Sequence, residues 1–297
     1  LICVKKGAPL KVAVSDKGNF ITSDVTAFVA YTRDYYDMND NEIAVVGKDK
    51  VEFYDNQGNP IKKEIVQVTW DISAAQKGGY ETFMMKEIKE QPDAIRKTLS
   101  PRINDDNTIT LDGISLTDED IRGFNRIFIT ACGSAYHVGV VGKYVIEELA
   151  RIPVEVDVAS EFRYRYPIVD DKTLVILISQ SGETADTLEA LRESKKKGAR
   201  TLSVVNVVGS SIASESDDVL YTWAGPEIAV ATTKAYSTQL TLIYLLAIRF
   251  ALAHKTITDT IAYDLVDEIK RIPEKIEKVF ESEEYIERLA ERYTYLS

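Results

Sequence analysis

At 297 residues the chain is long for one domain and comfortable for two, with 45% hydrophobic and 28% charged residues, as in ordinary globular proteins. A formal net charge of -11 excludes nucleic acid and anionic membrane as expected partners and would repel a phosphorylated ligand at long range. Cys3, Cys132, His137 and His254 show no metal-ligand spacing, so no metal or cofactor is expected, and a reducing cytoplasm fits best. No run approaches the length of a membrane span, and no secretory signal is present. The start at Leu1 rather than methionine reads as a piece of something longer.

Residues 1–72 read as β-rich. Lys11–Val14 and Asn19–Thr22 flank Asp16-Lys17-Gly18 as a hairpin, and Asp24–Thr32 reads as one short helix. Glu42–Val46 and Val51–Tyr54 form a second hairpin before the turn residues Asn56–Pro60, and Ile65–Trp70 alternates. These strands are expected to be short and antiparallel, few for an independent sheet. Gln76–Tyr80 breaks the pattern. Phe83–Leu99 then reads as an amphipathic helix with a break near Gln91, because Pro92 removes a helical N–H. Asp105–Asp112 reads as a polar, turn-like linker.

From Thr117, followed by three acidic residues that favour a helix start, strands and helices alternate. Strands are predicted at Arg126–Ala131, Val154–Val158, Thr173–Ile178, Thr201–Asn206 and Val219–Thr222. Helices are predicted at Ser134–Arg151, Glu183–Lys197, Ser210–Ser214 and Thr232–Ala253. This spacing argues an α/β fold, a doubly wound five-stranded parallel sheet preceded by a small β-rich partial domain. The boundaries expected are 1–72, a linker with a helix over 73–116, the α/β domain over 117–255, and a helical segment over 256–297 broken by Pro273.

Three loops fall at the carboxyl ends of these strands, where open parallel sheets bind ligands. The most informative is Ser179-Gln-Ser-Gly-Glu-Thr184, in which an apolar strand runs into a hydroxyl-rich turn that opens a helix. A helix N-terminus offers unpaired N–H groups and partial positive charge, so the turn suits a phosphate monoester held by neutral donors. The simpler reading makes Ser181 or Thr184 a helix cap. In Ala131–His137, Ser134 can donate to a ligand or cap a helix. Cys132 reads as a small buried residue and His137 as packed in the first helical turn. In Ala224–Lys234, Thr232 or Thr233 reads as a cap with Lys234 solvated, or the loop reads as a lid over a small molecule.

Together Ser179–Thr184, Cys132–His137, Ala159–Arg165 and Glu227–Lys234 resemble the first sugar isomerase (SIS) domain of the isomerising glutamine–fructose-6-phosphate aminotransferase family. Lys6–Leu10 and Phe20–Asp24 are similar to the end of that family's glutaminase domain, and Gly79-Tyr80 with Met85–Ile95 to its interdomain segment. The resemblance implies a flavodoxin-like SIS fold, and a reaction in which ammonia from glutamine converts fructose 6-phosphate to glucosamine 6-phosphate. It assigns sugar-phosphate contacts to Ser134, Ser179, Gln180, Ser181 and Thr184, with Val230 and Thr232 lining the sugar. Ser134 stands where threonine is usual, and Ala135 where some members have serine, which puts one donor in question.

The family's nucleophilic cysteine and its second SIS domain find no counterpart here, and Cys3 is not that cysteine. The resemblance therefore implies a hexose 6-phosphate (fructose 6-phosphate or glucose 6-phosphate) as partner, no catalytic residue in this region, and no turnover by it alone. It also implies a homodimer through the SIS domain, to which the apolar excess of Leu240–Ala253 would contribute. The alternative is a non-catalytic SIS sensor of sugar phosphate. It would carry a DNA-binding or kinase-like module in residues 1–72, where neither a helix-turn-helix pattern nor a basic stripe is found.

Overall fold

Short alternating runs in the first third of the chain pair into two antiparallel sheets. The strands are β1 (Ile2–Val4), β2 (Lys11–Ser15), β3 (Gly18–Thr22), β4 (Asp34–Asp37), β5 (Ile43–Val46), β6 (Val51–Tyr54), β7 (Pro60–Ile61) and β8 (Val66–Gln67). Their orders are β1-β5-β6-β7 and β3-β2-β4-β8. The computed structural model describes residues 1–295 except 24, 49 and 69–76, and not the side chain of residue 26. It divides into two units, Leu1–Phe83 and Met84–Ser297.

In the first unit, successive residues of β2 point to opposite faces, as a strand requires. Val12 joins Met38, Ala44, Val46 and Phe53 in one core, while Ala13 joins Phe28, Val29 and Val68 in another. Both predicted hairpins are present. β4 was not predicted: Asp34-Tyr-Tyr-Asp37 shows no apolar alternation and pairs because β2 and β8 flank it. The helix expected over 24–32 is only a 3-10 turn at Val25–Ala27. Asp24, Thr69 and Trp70 lie outside the described residues.

The second unit begins with α1 (Phe83–Lys89) and α2 (Gln91–Leu99), separated at Glu90 as Pro92 in the first turn of α2 demands. Asp105–Asp112, expected to be a polar, turn-like linker, is tied down together with the residues before it. Ile103 bridges Ile109, and Arg102, fully buried, donates to the carbonyls of Thr98 and Tyr221 at 2.8 Å. It also forms an ion pair with Asp112 at 2.7 Å. Burial pushes the Arg102 guanidinium below its ordinary value, with Asp112 acting in the opposite direction.

α3 (Asp118–Gly123) opens with a capping box between Thr117 and Asp120. β9 (Arg126–Ala131), α4 (Gly133–Leu149), β10 (Val154–Val158), α5 (Ala159–Tyr164), β11 (Thr173–Ser179), α6 (Ala185–Lys196), β12 (Arg200–Val205), α7 (Ser211–Glu215), β13 (Asp218–Tyr221) and α8 (Lys234–His254) follow. The five strands pair in parallel in the order β10-β9-β11-β12-β13. β11 is buried at every position, as expected of a central strand covered on both faces.

α4 and α8 pack one face, with Val138, Ile146, Leu242 and Leu246 in its core, and α5, α6 and α7 cover the other with Phe162, Leu188 and Ile212. α8 has 21 residues, and its most apolar 18-residue stretch has a mean hydropathy of 1.3, so by length and composition it could cross a membrane, contrary to the expectation that no run is long enough. Fourteen of its residues are nevertheless buried, against the sheet, α2, α3, α4 and α9 (Asp259–Lys270). Most of its apolar surface is thus covered within the chain. Gly142 permits the approach of α4, since a Cβ there would lie 2.8 Å from Ile243 Cγ2. α10 (Ile272–Phe280) and α11 (Glu283–Glu291) complete the chain, and the expected break falls at Arg271, with Pro273 tolerated inside the first turn of α10.

Candidate functional site

β9 and β11 are neighbours, with Ala131 opposite Ile178 at their carboxyl ends. The chain leaving β9 turns into α4 on one face, and the chain leaving β11 turns into α6 on the other. Such a switch point opens a crevice at the strand ends. The loops around it are 132–134 and 180–184, with the loops after β12 and β13 alongside.

The turn after β11 is built from its own hydroxyls. Ser179, 3% exposed, accepts from the Gly182 N–H at 3.0 Å, and its Oγ lies 3.0 Å from Thr184 Oγ1. Ser181 Oγ accepts from the Glu183 N–H at 3.2 Å. Gly182 has φ +66°, and a Cβ there would fall 2.0 Å from Ser210 Oγ, so both conformation and space demand glycine. Thr184 stands at the N-cap of α6, yet its side chain makes no cap bond. The simple capping role is therefore not what the geometry gives Thr184, and the first N–H groups of α6 keep no intrahelical partner.

The nearby carboxylates are turned away or neutralised. Glu183 accepts from the N–H and Oγ of Ser211 at 3.0 and 2.7 Å, and Asp186 is paired with Arg163 at 3.0 Å. An anion at the α6 start thus meets hydroxyls and N–H dipoles rather than free negative charge.

The α4 start shares this character. Gly133 has φ +57°, Cys132 at the N-cap makes no side-chain cap bond, and Ser134 is exposed. Cys132 is half-buried rather than fully buried, with Thr187 Oγ1 3.9 Å from its sulfur. His137 is exposed at the edge of the Tyr136 ring rather than packed.

The loop before α8 is organised differently. Glu227 accepts from the N–H groups of Thr233 and Ala235 at 2.9 and 3.1 Å and from Thr232 Oγ1 at 2.7 Å. A carboxylate thus fills this helix start, and neither threonine side chain caps it. Lys234, expected to be solvated, is 2% exposed and bonds Glu90 at 2.6 Å, because α2 packs on α8 at this end. Val230 is fully exposed.

Asn206, which carried no role in the sequence reading, joins the loops. Its N–H donates to the Gln180 carbonyl at 3.1 Å and its side-chain nitrogen to the Gly225 carbonyl at 2.7 Å. Its side-chain oxygen accepts from Thr222 Oγ1 and the Ala224 N–H. An amide residue directly after a buried strand was the available signal. Of the predicted contacts, Ser179 and Thr184 touch and Ser181 and Gln180 share their turn. Ser134, in the first turn of α4, and Val230 and Thr232, on the loop before α8, make no hydrogen bond to it among the described residues.

A cavity of about 610 Å³ lies at the opposite edge of the sheet beside Asp120, Asp171, Lys195, Arg200 and Asp217. It holds more carboxylates than cations and faces the carboxyl end of α6, the negative end of that helix dipole. An anion is better served by the hydroxyl turn.

The SIS domain family matches residues 120–249, which hold the five-stranded sheet, the switch point and the hydroxyl turn. The chain carries that domain. Within the class its sequence groups with the isomerising glutamine–fructose-6-phosphate aminotransferases. It is 54% identical over 293 residues to that of Caldanaerobacter subterraneus subsp. tengcongensis, covering 99% of this chain and 48% of the relative. The Clostridium acetobutylicum protein is 55% identical over 290 residues, covering 98% and 48%. The chain spans about half the length of the curated relatives it matches. Among solved structures, the C-terminal domain of glucosamine-fructose-6-phosphate aminotransferase from Francisella tularensis superposes with a TM-score of 0.71 at 38% identity, covering 74% of this chain and 62% of that one.

Proposed function

We propose that the carboxyl edge of the SIS sheet binds a hexose 6-phosphate, fructose 6-phosphate or glucose 6-phosphate, as part of an isomerising glutamine–fructose-6-phosphate aminotransferase. The phosphate sits at the α6 start on Ser179, Ser181, Thr184 and the free N–H groups, and Ser134, Gln180, Val230 and Thr232 surround the sugar. In this reading residues 1–72 end a glutaminase domain, 73–116 link it to the SIS domain of 117–255, and 256–297 lead onward. No catalytic residue is assigned to this chain. The observation that carries the reading is the N-cap threonine of α6 that caps nothing: Thr184 faces Ser179, and the helix start stays open. Hydrogen bonds to a charged group are worth about 1.5–3 kcal/mol each, while the chain's distant negative charge is screened beyond about 8–10 Å.

Titration calorimetry with glucose 6-phosphate on the S181A/T184A double variant tests this. We expect at least tenfold weaker binding with the melting temperature of the ligand-free protein nearly unchanged, within about 4 °C. That margin corresponds to about 1 kcal/mol for a hydroxyl bond in a domain of this size. Unchanged affinity would place the phosphate elsewhere, and a large loss of intrinsic stability would make the hydroxyls structural.

A further inference from the structure

Glu87, on α1, is 1% exposed, and one of its carboxylate oxygens accepts from the N–H groups of Ile228 and Ala229 at 2.6 and 3.2 Å. Its other oxygen is buried without a partner among the described residues. Removing a carboxylate from water costs several kcal/mol, so a site that retains one with only half its hydrogen-bonding capacity used calls for a reason. The loop it grips has no regular structure between Gly225 and Thr233. Asn206 fixes Gly225 at one end, and Glu227 fixes Thr232, Thr233 and Ala235 at the other. Among the described residues, Glu87 supplies the side-chain bonds to the main chain between those ends.

The anchor is itself braced. Glu90 receives Lys234 at 2.6 Å and pairs with Lys86 at 3.4 Å, and Lys86 and Lys234 are nearly as buried as Glu87. The junction of α1 and α2 is thereby tied to the first residue of α8. Val230 and Thr232 follow Ala229 by one and three residues. The phosphate turn at 179–184 makes no bond to Glu87.

We propose that Glu87 is a positioning residue for sugar recognition, holding the middle of the 225–233 loop so that Val230 and Thr232 face the hexose while phosphate binding proceeds without it. The inference rests on the hexose-phosphate reading of the site, which it deepens by separating a sugar grip from a phosphate grip. Two buried N–H groups on one oxygen form a device that an amide oxygen can also serve, so glutamine at this position should suffice and an aliphatic residue should not.

The test compares glucose 6-phosphate with inorganic phosphate on the full chain. For E87A, affinity for glucose 6-phosphate should fall about five- to tenfold while affinity for inorganic phosphate stays within twofold, and E87Q should retain most of the sugar-phosphate affinity. Equal loss for both ligands, E87Q as impaired as E87A, or unchanged glucose 6-phosphate binding in E87A would each overturn the proposal. Should E87A fail to fold, hydrogen exchange on the unaltered chain decides. Protection of the Ile228 and Ala229 amides above those of Val230 and Ala231 supports the anchor, and exchange at free-loop rates overturns it. Failure of the underlying reading looks different, because the S181A/T184A variant would then leave both ligands unaffected.

Discussion

Two helices start on the same edge of one sheet and are finished in opposite ways. At α8 a carboxylate from the chain itself, Glu227, takes the N–H groups of Thr233 and Ala235. At α6 the N-cap threonine turns to a neighbouring serine, the adjacent acids are engaged by Ser211 and Arg163, and no side chain caps the helix start. A closed start gains stability from its cap, whereas an open one holds unpaired N–H groups ready for a ligand. The contrast separates scaffold from site more sharply than the number of hydroxyls does, since threonines stand at both.

Closing the open start should have the largest effect. Thr184→Asp puts a fixed negative charge where the phosphate would sit. Two unit charges at 4 Å repel by about 4 kcal/mol at an effective dielectric of 20, so glucose 6-phosphate binding by calorimetry should weaken at least 100-fold. Because aspartate is a favoured cap, worth about 1 kcal/mol, the melting temperature should hold or rise by a few degrees. Binding that survives this change would put the phosphate elsewhere.

Opening the closed start should act mainly on stability. Glu227→Ala removes the cap of α8 and the partner of Thr232, a loss of about 1–2 kcal/mol. Calorimetry should show a melting temperature lower by about 2–8 °C for a domain of this size, with less than tenfold loss of ligand affinity. Stability equal to that of the parent would mean that Glu227 does not hold the loop.

The smallest effect on binding is expected at the far edge of the sheet. Burial works to raise the Asp217 pKa, but the Thr201 N–H and hydroxyl and Lys195 outweigh it and hold the carboxyl below its ordinary value. A depressed folded-state pKa contributes stability that is present above the unfolded value, about 4, and is lost as pH falls through the folded value. Asp217→Asn should therefore melt below the parent at pH 7, and the gap should narrow as pH drops below about 4. Glucose 6-phosphate affinity at pH 7 should stay within twofold of the parent. A pH-independent gap would remove the carboxylate's charge from the account.

Much of this was legible in residue order. The central strand β11 announces itself as an apolar run, and the turn 179–184 shows its glycine and hydroxyls directly. The helix start at Thr117 and the break before Pro92 are local chemistry read at short range. What escaped depends on partners far along the chain. Glu87 and Ile228 meet across 141 residues, and Arg102 finds Tyr221 across 119. Lys234 looked like a solvated first-turn lysine until α2 covered it. β4 exists because its neighbours pair with it, not because Asp34–Asp37 alternates. Val230 is fully exposed, so no burial marks it. Its assignment comes from the family resemblance alone.

The open and closed helix starts can be told apart in a single titration. Adding inorganic phosphate to the isotopically labelled chain and following its amide resonances reports which N–H groups meet the anion. The account predicts that the amides of Gly182 to Asp186 shift together and saturate, while those of Thr233 to Ala235 stay in place. Saturable shifts at Thr233 to Ala235 with a silent α6 start would contradict it.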